Sequence, residues 1–120
     1  MSLDSNNAWQ FDFDLFEQSI NEKTKVVFLN NPHNPSGKVF DLKDMERLTD
    51  ILNKHPNIYV ICDEVYYLFP FDRKQHYSFA NFDQNFKKTI TVVSAGKMLN
   101  VTGWKVGWCI GPENLIKAAG

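Results

Sequence analysis

Apolar residues recur along the chain with two spacings, which predict helices alternating with strands. Over 41–54 they return every three or four positions, as is typical of an amphipathic helix. The same spacing over 12–21 predicts a shorter helix, and Pro112 stands where a third helix, 112–119, would begin. Asp12 and Asp41 are the expected N-caps, since a carboxylate accepts from the exposed N–H groups of a first turn.

Four short apolar runs, rich in β-branched residues, predict strands. They span 25–29, 58–62, 89–93 and 105–110. The Asn- and Pro-rich segment Asn30–Gly37 is predicted to be a loop. Because helices separate the strands, the predicted fold class is α/β: a three-layer, mostly parallel sheet with flanking helices.

Composition narrows the classes of function. The chain has 120 residues, with 13 Lys and Arg against 14 Asp and Glu. This near-neutral balance argues against nucleic-acid binding, which needs a basic excess. No apolar run approaches the roughly 18–20 residues that span a bilayer, and the polar first twenty residues lack a signal-peptide pattern. We therefore expect no nucleic-acid or membrane partner and a cytoplasmic location, with mitochondria as the alternative.

Two cysteines and the N-terminal segment complete the expectations from composition. Cys62 and Cys109 lie in apolar runs, so both are expected to be buried thiols rather than disulfide partners. Residues 1–8 are polar, and we expect them to be frayed or expression-derived.

Reactive side chains follow three predicted strands, at the ends where parallel sheets hold their sites. Lys97 comes after Ser94-Ala95-Gly96, small residues that let backbone N–H groups approach an anion. It is a candidate phosphate ligand or Schiff-base nucleophile, and a solvated turn lysine is the alternative. Asp63 ends the second strand and needs a partner there. Arg47, a backbone group and a protonated ligand heterocycle are the alternatives.

Three further residues extend this set. Tyr66 would share a face with Asp63 if a helical turn begins there, and Asn34 is held between two prolines. Lys105 is a candidate second cation for a phosphate, or simply a strand-edge lysine.

The histidines do not suggest a metal. His33 lacks Cys or carboxylate neighbours at ligand spacing, and His55 and His76 are expected in surface segments.

Three segments together resemble a known family. NPHNPSGKVF (31–40), DEVYYLFPF (63–71) and SAGKMLNVTGWKVGW (94–108) resemble the fold-type I, class I/II pyridoxal-phosphate aminotransferases. The closest resemblance is to the kynurenine aminotransferase, glutamine transaminase K and cysteine-S-conjugate β-lyase group.

The resemblance implies a role for each candidate residue. Lys97 would form the Schiff base with pyridoxal 5'-phosphate and carry the proton at the substrate Cα. Asp63 would pair with the ring nitrogen, while Asn34 and Tyr66 would bind the phenolic oxygen. Ser94 and Lys105 would hold the phosphate. The resemblance also implies a cis Asn34–Pro35 peptide.

The resemblance further implies that residues 1–120 are the central part of a larger cofactor-binding domain. In the family, a phosphate-binding turn and a ring-stacking aromatic residue lie upstream, and the arginine for the substrate carboxylate lies in a C-terminal domain. The implied reaction is transamination between an amino acid of the kynurenine, glutamine, methionine or aromatic type and a 2-oxo acid.

Alternatives remain open at this point. They are a pyridoxal-phosphate-dependent cysteine-conjugate β-lyase and a non-catalytic domain fragment. The 120 residues alone are expected to be inactive, and a homodimer or higher self-association is expected.

Overall fold

The computed structural model describes residues 9–69, 72, 74–82 and 86–120, so the predicted frayed segment 1–8 lies outside the described residues. The predicted helices and strands occur in the predicted order, and one further short helix stands where a turn was predicted after the third strand. The helices are α1 (Phe13–Ser19), α2 (Leu42–Asn53), α3 (Ala95–Met98) and α4 (Glu113–Ala119). The strands are β1 (Val26–Asn30), β2 (Tyr59–Asp63), β3 (Thr89–Ser94) and β4 (Gly107–Ile110). Short 3-10 turns lie at Phe79–Asn81, Phe86–Lys88 and Thr102–Trp104.

The predicted N-caps of the first two helices are confirmed. Asp12 accepts a hydrogen bond from the Leu15 N–H at 2.8 Å. At α2, Asp41 accepts from the Asp44 N–H at 2.9 Å, and Asp44 accepts from the Asp41 N–H at 3.2 Å. This reciprocal capping box satisfies two N–H groups that a helix start otherwise leaves without acceptors. Pro112 is the N-cap of α4, so that helix begins one residue later than predicted.

The four strands form one sheet in the order β1-β2-β3-β4. The first three are parallel, and β4 pairs antiparallel with β3. This mostly parallel sheet with flanking helices confirms the predicted fold class. The strand predicted from Lys105 instead begins at Gly107. Lys105 has a left-handed backbone with φ 56°, which ends the preceding 3-10 turn and does not fit an extended strand.

The core lies on one face of the sheet, between the strands and the helices α1 and α2. Leu48 of α2 is fully buried, and it packs in a cluster with Phe13 of α1 and with Val60 and Cys62 of β2. The remaining members are mainly aliphatic and aromatic: Val27, Leu29, Phe40, Met45, Ile51, Leu52, Ile58 and Phe79.

On the opposite face of the sheet, several apolar side chains of β1 and β2 are not covered by any residue that the structure describes. Val26, Phe28 and Tyr59 alternate with the core residues of β1 and β2, and all three are exposed.

The two cysteines differ in burial. Both are thiols, and Cys62 is buried as predicted. The prediction for Cys109 is wrong, because this residue is exposed. Cys109 lies on β4, where all four residues are exposed, so its apolar neighbours in sequence do not cover it.

The parallel pairing places the predicted site residues at one edge of the sheet. Asn30, the last residue of β1, is in register with Asp63, the last residue of β2. Strand β3 runs in the same direction and ends at Ser94. The segments that follow these three residues therefore meet at the carboxyl edge, where open α/β sheets hold their ligands.

Candidate active site

Asn30 fixes the loop that follows β1. Its side-chain oxygen accepts from the Asn34 N–H at 2.9 Å, and its amide donates to the Asp63 carbonyl at 3.0 Å. The Asn34–Pro35 peptide is cis, as predicted, and so is Asn31–Pro32. One side chain thus ties the loop to the end of β2 and sets the position of Asn34.

Three of the predicted residues meet at this edge, each from a different strand end. The Asn34 side-chain amide donates to the Tyr66 hydroxyl at 3.2 Å. The Lys97 Nζ atom lies 5.7 Å from the centre of the Tyr66 ring. Tyr66 reaches this position from a turn after β2, closed by the Tyr67 N–H donating to the Glu64 carbonyl at 3.0 Å. An amide, a phenol and an amine are therefore brought together, as the sequence predicted.

Asp63 is half-buried at the end of β2 and keeps capacity for a cationic ligand. One carboxylate oxygen accepts from the Val65 N–H at 3.3 Å. Arg47, one of the partners considered from the sequence, instead pairs with Asp14 on α1. Asp63 forms no ion pair with any described residue. A carboxylate without a cationic partner suits the protonated nitrogen of a heterocycle.

The turn that carries Lys97 is tightly packed. A Cβ atom added at Gly96 would lie 3.0 Å from the Thr102 Cα and 3.3 Å from the Ser94 hydroxyl. The Thr102 hydroxyl also donates to the Gly96 carbonyl at 3.2 Å. Glycine is therefore required for this close approach, and it lets α3 begin directly at the end of β3. Lys97 itself is exposed, with its amine facing the site.

Ser94 and Lys105 lie at the same end of the sheet as the other four residues. Ser94 is paired with Gly107 across β3 and β4, and Lys105 lies in the turn just before β4. Among the described residues, no hydrogen bond or ion pair joins either side chain to Asn34, Asp63 or the other site residues. They are available for a ligand that spans this edge.

A pocket of about 200 Å³ opens beside this group of residues. It is lined by the loop after β1, including Asn34, and by Tyr66 and Phe69. Lys97 and Asp63 lie outside its lining. The donor set fits pyridoxal phosphate: Asp63 for the ring nitrogen, Asn34 and Tyr66 for the phenolic oxygen, Lys97 for the aldehyde. The observation that carries this fit is the contact between Asn34 and Tyr66, two side chains that can each donate a hydrogen bond and that come from separate strand ends.

A buried polar cluster lies behind the site, and sequence reasoning missed it. Glu64 is 4% exposed and accepts from the Ser78 hydroxyl at 3.0 Å and the Phe79 N–H at 3.2 Å. Burial raises the pKa of Glu64 to about 7, and these two hydrogen bonds oppose the rise. His76 was expected on the surface, but only 10% of its side chain is exposed. Burial lowers the pKa of His76, and the Asn31 carbonyl works in the other direction.

The raised pKa of Glu64 predicts that stability falls as the pH rises. The folded chain binds the proton more tightly than the unfolded chain, where the pKa is the ordinary 4.5. The stabilising contribution is therefore complete below pH 4.5 and is lost as the pH rises through about 7. The full change corresponds to about 3 kcal/mol.

Urea unfolding of wild type and Glu64→Gln across this pH range measures the effect. The glutamine variant should lose the fall, since its amide does not titrate. Glu46→Gln, at an exposed helix position, is the matched control and should behave like wild type. Equal pH dependence in wild type and Glu64→Gln would contradict the prediction.

In the part of the chain that the structure describes, no three His, Cys, Asp or Glu side chains are grouped as metal ligands. No described helix is both long and apolar enough to cross a membrane.

Known proteins resemble this chain along nearly its whole length. The family model for aminotransferases of class I and II matches residues 1–120. The kynurenine–oxoglutarate transaminase of Dictyostelium discoideum is 45% identical over 115 residues, which are 95% of this chain and 26% of that protein. Human kynurenine–oxoglutarate transaminase 3 is 42% identical over 113 residues, 94% of this chain and 25% of that protein. The chain thus spans about a quarter of the length of these curated relatives.

Solved structures agree with this relationship. The aromatic aminotransferase of Pyrococcus horikoshii superposes with a TM-score of 0.87 at 34% identity, covering 94% of this chain and 30% of that one. The Escherichia coli protein YbdL, with an identified methionine aminotransferase function, gives a TM-score of 0.85 at 35% identity. That match covers 92% of this chain and 29% of the other.

Proposed function

The chain belongs to the class I and II aminotransferases, and we propose that it forms the cofactor-holding part of a transaminase. The proposed reaction exchanges an amino group between an amino acid and a 2-oxo acid. Kynurenine, glutamine, methionine and aromatic amino acids are the proposed donors. The curated relatives named as kynurenine transaminases and the aromatic and methionine aminotransferases among the solved structures support this choice.

Pyridoxal phosphate is the cofactor of this family, and when bound it supplies a sink for the electron pair left on the substrate Cα as its proton departs. Asp63 keeps the proton on the ring nitrogen, because an adjacent carboxylate favours the protonated heterocycle. Its lack of a cationic partner among the described residues supports this role.

Asn34 and Tyr66 hold the phenolic oxygen in this proposal. The Asn34 amide donates to the Tyr66 hydroxyl oxygen at 3.2 Å, so the tyrosine proton is free to point at a ligand. The second amide hydrogen of Asn34 is available in the same way. The two side chains would thereby hold the phenolic side of the ring, on the side of Tyr66 from which Lys97 also approaches.

Lys97 moves the proton in this proposal. Its amine lies 5.7 Å from the centre of the Tyr66 ring. With the cofactor bound, it would accept the proton from the substrate Cα and return it to the cofactor carbon that bore the aldehyde. Ser94 and Lys105 hold the phosphate, one by its hydroxyl and the other by its charge.

We also propose that the protein assembles as a homodimer. The exposed Val26, Phe28 and Tyr59 on the sheet face opposite the core, and the exposed Trp104 and Trp108, support further packing beyond this chain. Sedimentation velocity of the purified chain tests the proposal, and a single monomeric species at micromolar concentration would contradict it.

Reductive trapping tests the proposed cofactor site. The chain is mixed with pyridoxal phosphate, treated with borohydride and digested, and the labelled lysine is located by mass spectrometry. We expect labelling at Lys97 to exceed that at Lys43 and Lys117 by at least about tenfold, since a preorganised site raises the effective concentration of the aldehyde. Lys43 and Lys117 are exposed helix lysines and serve as internal controls. Equal labelling of all three would contradict the site and favour a non-catalytic fragment.

A further inference from the structure

The buried cluster connects Glu64, which follows β2, with the segment 76–79, which contributes His76, Ser78 and Phe79. One carboxylate oxygen of Glu64, Oε1, accepts from both the Ser78 hydroxyl and the Phe79 N–H. The other, Oε2, lies 3.6 Å from His76 Nε2. Two donors occupy the lone pairs of Oε1, so a proton on neutral Glu64 sits on Oε2, the oxygen that faces the histidine.

His76 connects this carboxyl group to the loop that follows β1. Its Nε2 atom lies 3.2 Å from the Asn31 carbonyl oxygen. A carbonyl oxygen only accepts, so this contact requires a proton on Nε2. A protonated Glu64 would direct a second proton at the same nitrogen. At the 3.6 Å that separates Oε2 from Nε2, a proton on the carboxyl group and a proton on Nε2 would face each other without a hydrogen bond, so the Glu64 proton disfavours the bond from neutral His76 to Asn31.

Asn31 is the fixed point from which the loop departs. It is 4% exposed, its N–H donates to the Asp63 carbonyl at 3.0 Å, and its side-chain oxygen accepts from the Phe40 N–H at 3.0 Å. Three residues later the loop presents Asn34 to Tyr66. The carbonyl that His76 contacts thus belongs to Asn31, the residue that links the end of β2 to the loop carrying Asn34.

We propose that Glu64 is a positioning residue whose ionised carboxylate holds His76 in the tautomer that anchors Asn31, and thereby keeps Asn34 against Tyr66. The proposal deepens the proposed function, on which it rests only for the meaning of the Asn34–Tyr66 contact. It adds a proton-dependent element to the site, since protonation of Glu64 releases the carbonyl of Asn31.

The titratable neighbours of this cluster are few. The described titratable side chains that line the cavity beside Glu64 are His76 and Tyr67. Tyr67 packs its ring 6.1 Å from the His76 ring and places its hydroxyl 3.7 Å from Met98 Sδ, away from the carboxyl group. Asp63 precedes Glu64, but its carboxylate accepts from the Val65 N–H and does not line this cavity. A transition near neutral pH therefore belongs to the Glu64–His76 pair, which titrates as a unit.

Nuclear magnetic resonance of the 120-residue chain without cofactor tests the proposal. The ring nitrogens of His76 and the side-chain amide of Asn34 are followed between about pH 6 and pH 8. In wild type, His76 should pass to the Nε2–H tautomer, and the Asn34 amide resonance should shift, with a common midpoint near the Glu64 pKa of about 7. In Glu64→Gln both transitions should disappear, because the glutamine NH₂ group keeps a donor directed at Nε2.

Two further variants keep the test sharp. Ser78→Ala removes a donor to the carboxylate and should raise the midpoint by about one pH unit, which a merely structural role of Glu64 would not produce. Glu46→Gln, exposed on α2, should leave both transitions unchanged. An Nε2–H tautomer of His76 at all pH values, or an Asn34 shift that survives in Glu64→Gln, would overturn the proposal. No pyridoxal phosphate is present, so failed labelling of Lys97 would not affect this result.

Discussion

Lys97→Ala is expected to abolish the borohydride-stable attachment of pyridoxal phosphate at the site, whereas Lys43→Ala leaves it unchanged. The amine of Lys97, which lies 5.7 Å from the centre of the Tyr66 ring, is the proposed nucleophile. Alanine has no amine to react with the cofactor aldehyde, and the other proposed contacts would hold the cofactor without a covalent bond. Mass spectrometry after reduction measures the loss as disappearance of the labelled peptide that contains Lys97.

The control variants separate loss of the nucleophile from loss of structure. Lys97→Arg keeps the positive charge but does not attack an aldehyde, so it should also remove the label. The urea unfolding midpoint of both variants should match wild type, because Lys97 is exposed and its removal leaves no cavity. Label that moves to Lys105 in Lys97→Ala would contradict the assigned nucleophile, since Lys105 lies at the same end of the sheet.

Much of this site could be predicted from the sequence because its residues follow regular elements. Asp63 ends a strand, Asn34, Tyr66 and Lys97 follow strand ends within four residues, and helices between strands favour parallel pairing. Parallel pairing then dictates that three strand ends share an edge. The helix caps Asp12 and Asp41 were predicted for the same kind of reason, since a capping side chain acts within its own first turn.

The buried cluster could not be predicted from the sequence, because it depends on contacts between irregular segments. His76 lies in a segment without periodicity, and its burial is set by the Asn31 carbonyl and the Tyr67 ring. A glutamate in sequence is expected on the surface, and only the structure shows that the Phe79 N–H donates to the Glu64 carboxylate. The prediction that Cys109 is buried is wrong for the converse reason, because apolar neighbours in sequence do not show whether other residues pack on an edge strand.

Leu48→Ala is expected to lower the free energy of unfolding by about 3–4 kcal/mol, the usual cost of a buried cavity. Leu48 is 0% exposed at the centre of the inner face of α2, and it packs in the cluster that contains Val60 and Cys62 of β2. Folded domains are stable by only about 5–15 kcal/mol, so this is a large share of the total. Leu15→Ala is the matched control, because Leu15 is 56% exposed and should change stability little.

The urea unfolding midpoint measures this loss of stability. The packing that Leu48 provides also supports the candidate site. Strand β2 carries Asp63 at its end, and the buried side chains of α2 support that strand from behind. Leu48→Ala should therefore lower the urea unfolding midpoint and leave the slope of the free energy of unfolding against urea concentration unchanged. Lys97 should still be labelled at urea concentrations below the unfolding transition. If Leu48→Ala had the same urea midpoint as Leu15→Ala, then α2 would not support the sheet. Some other part of the chain would have to hold the strand ends together at the site.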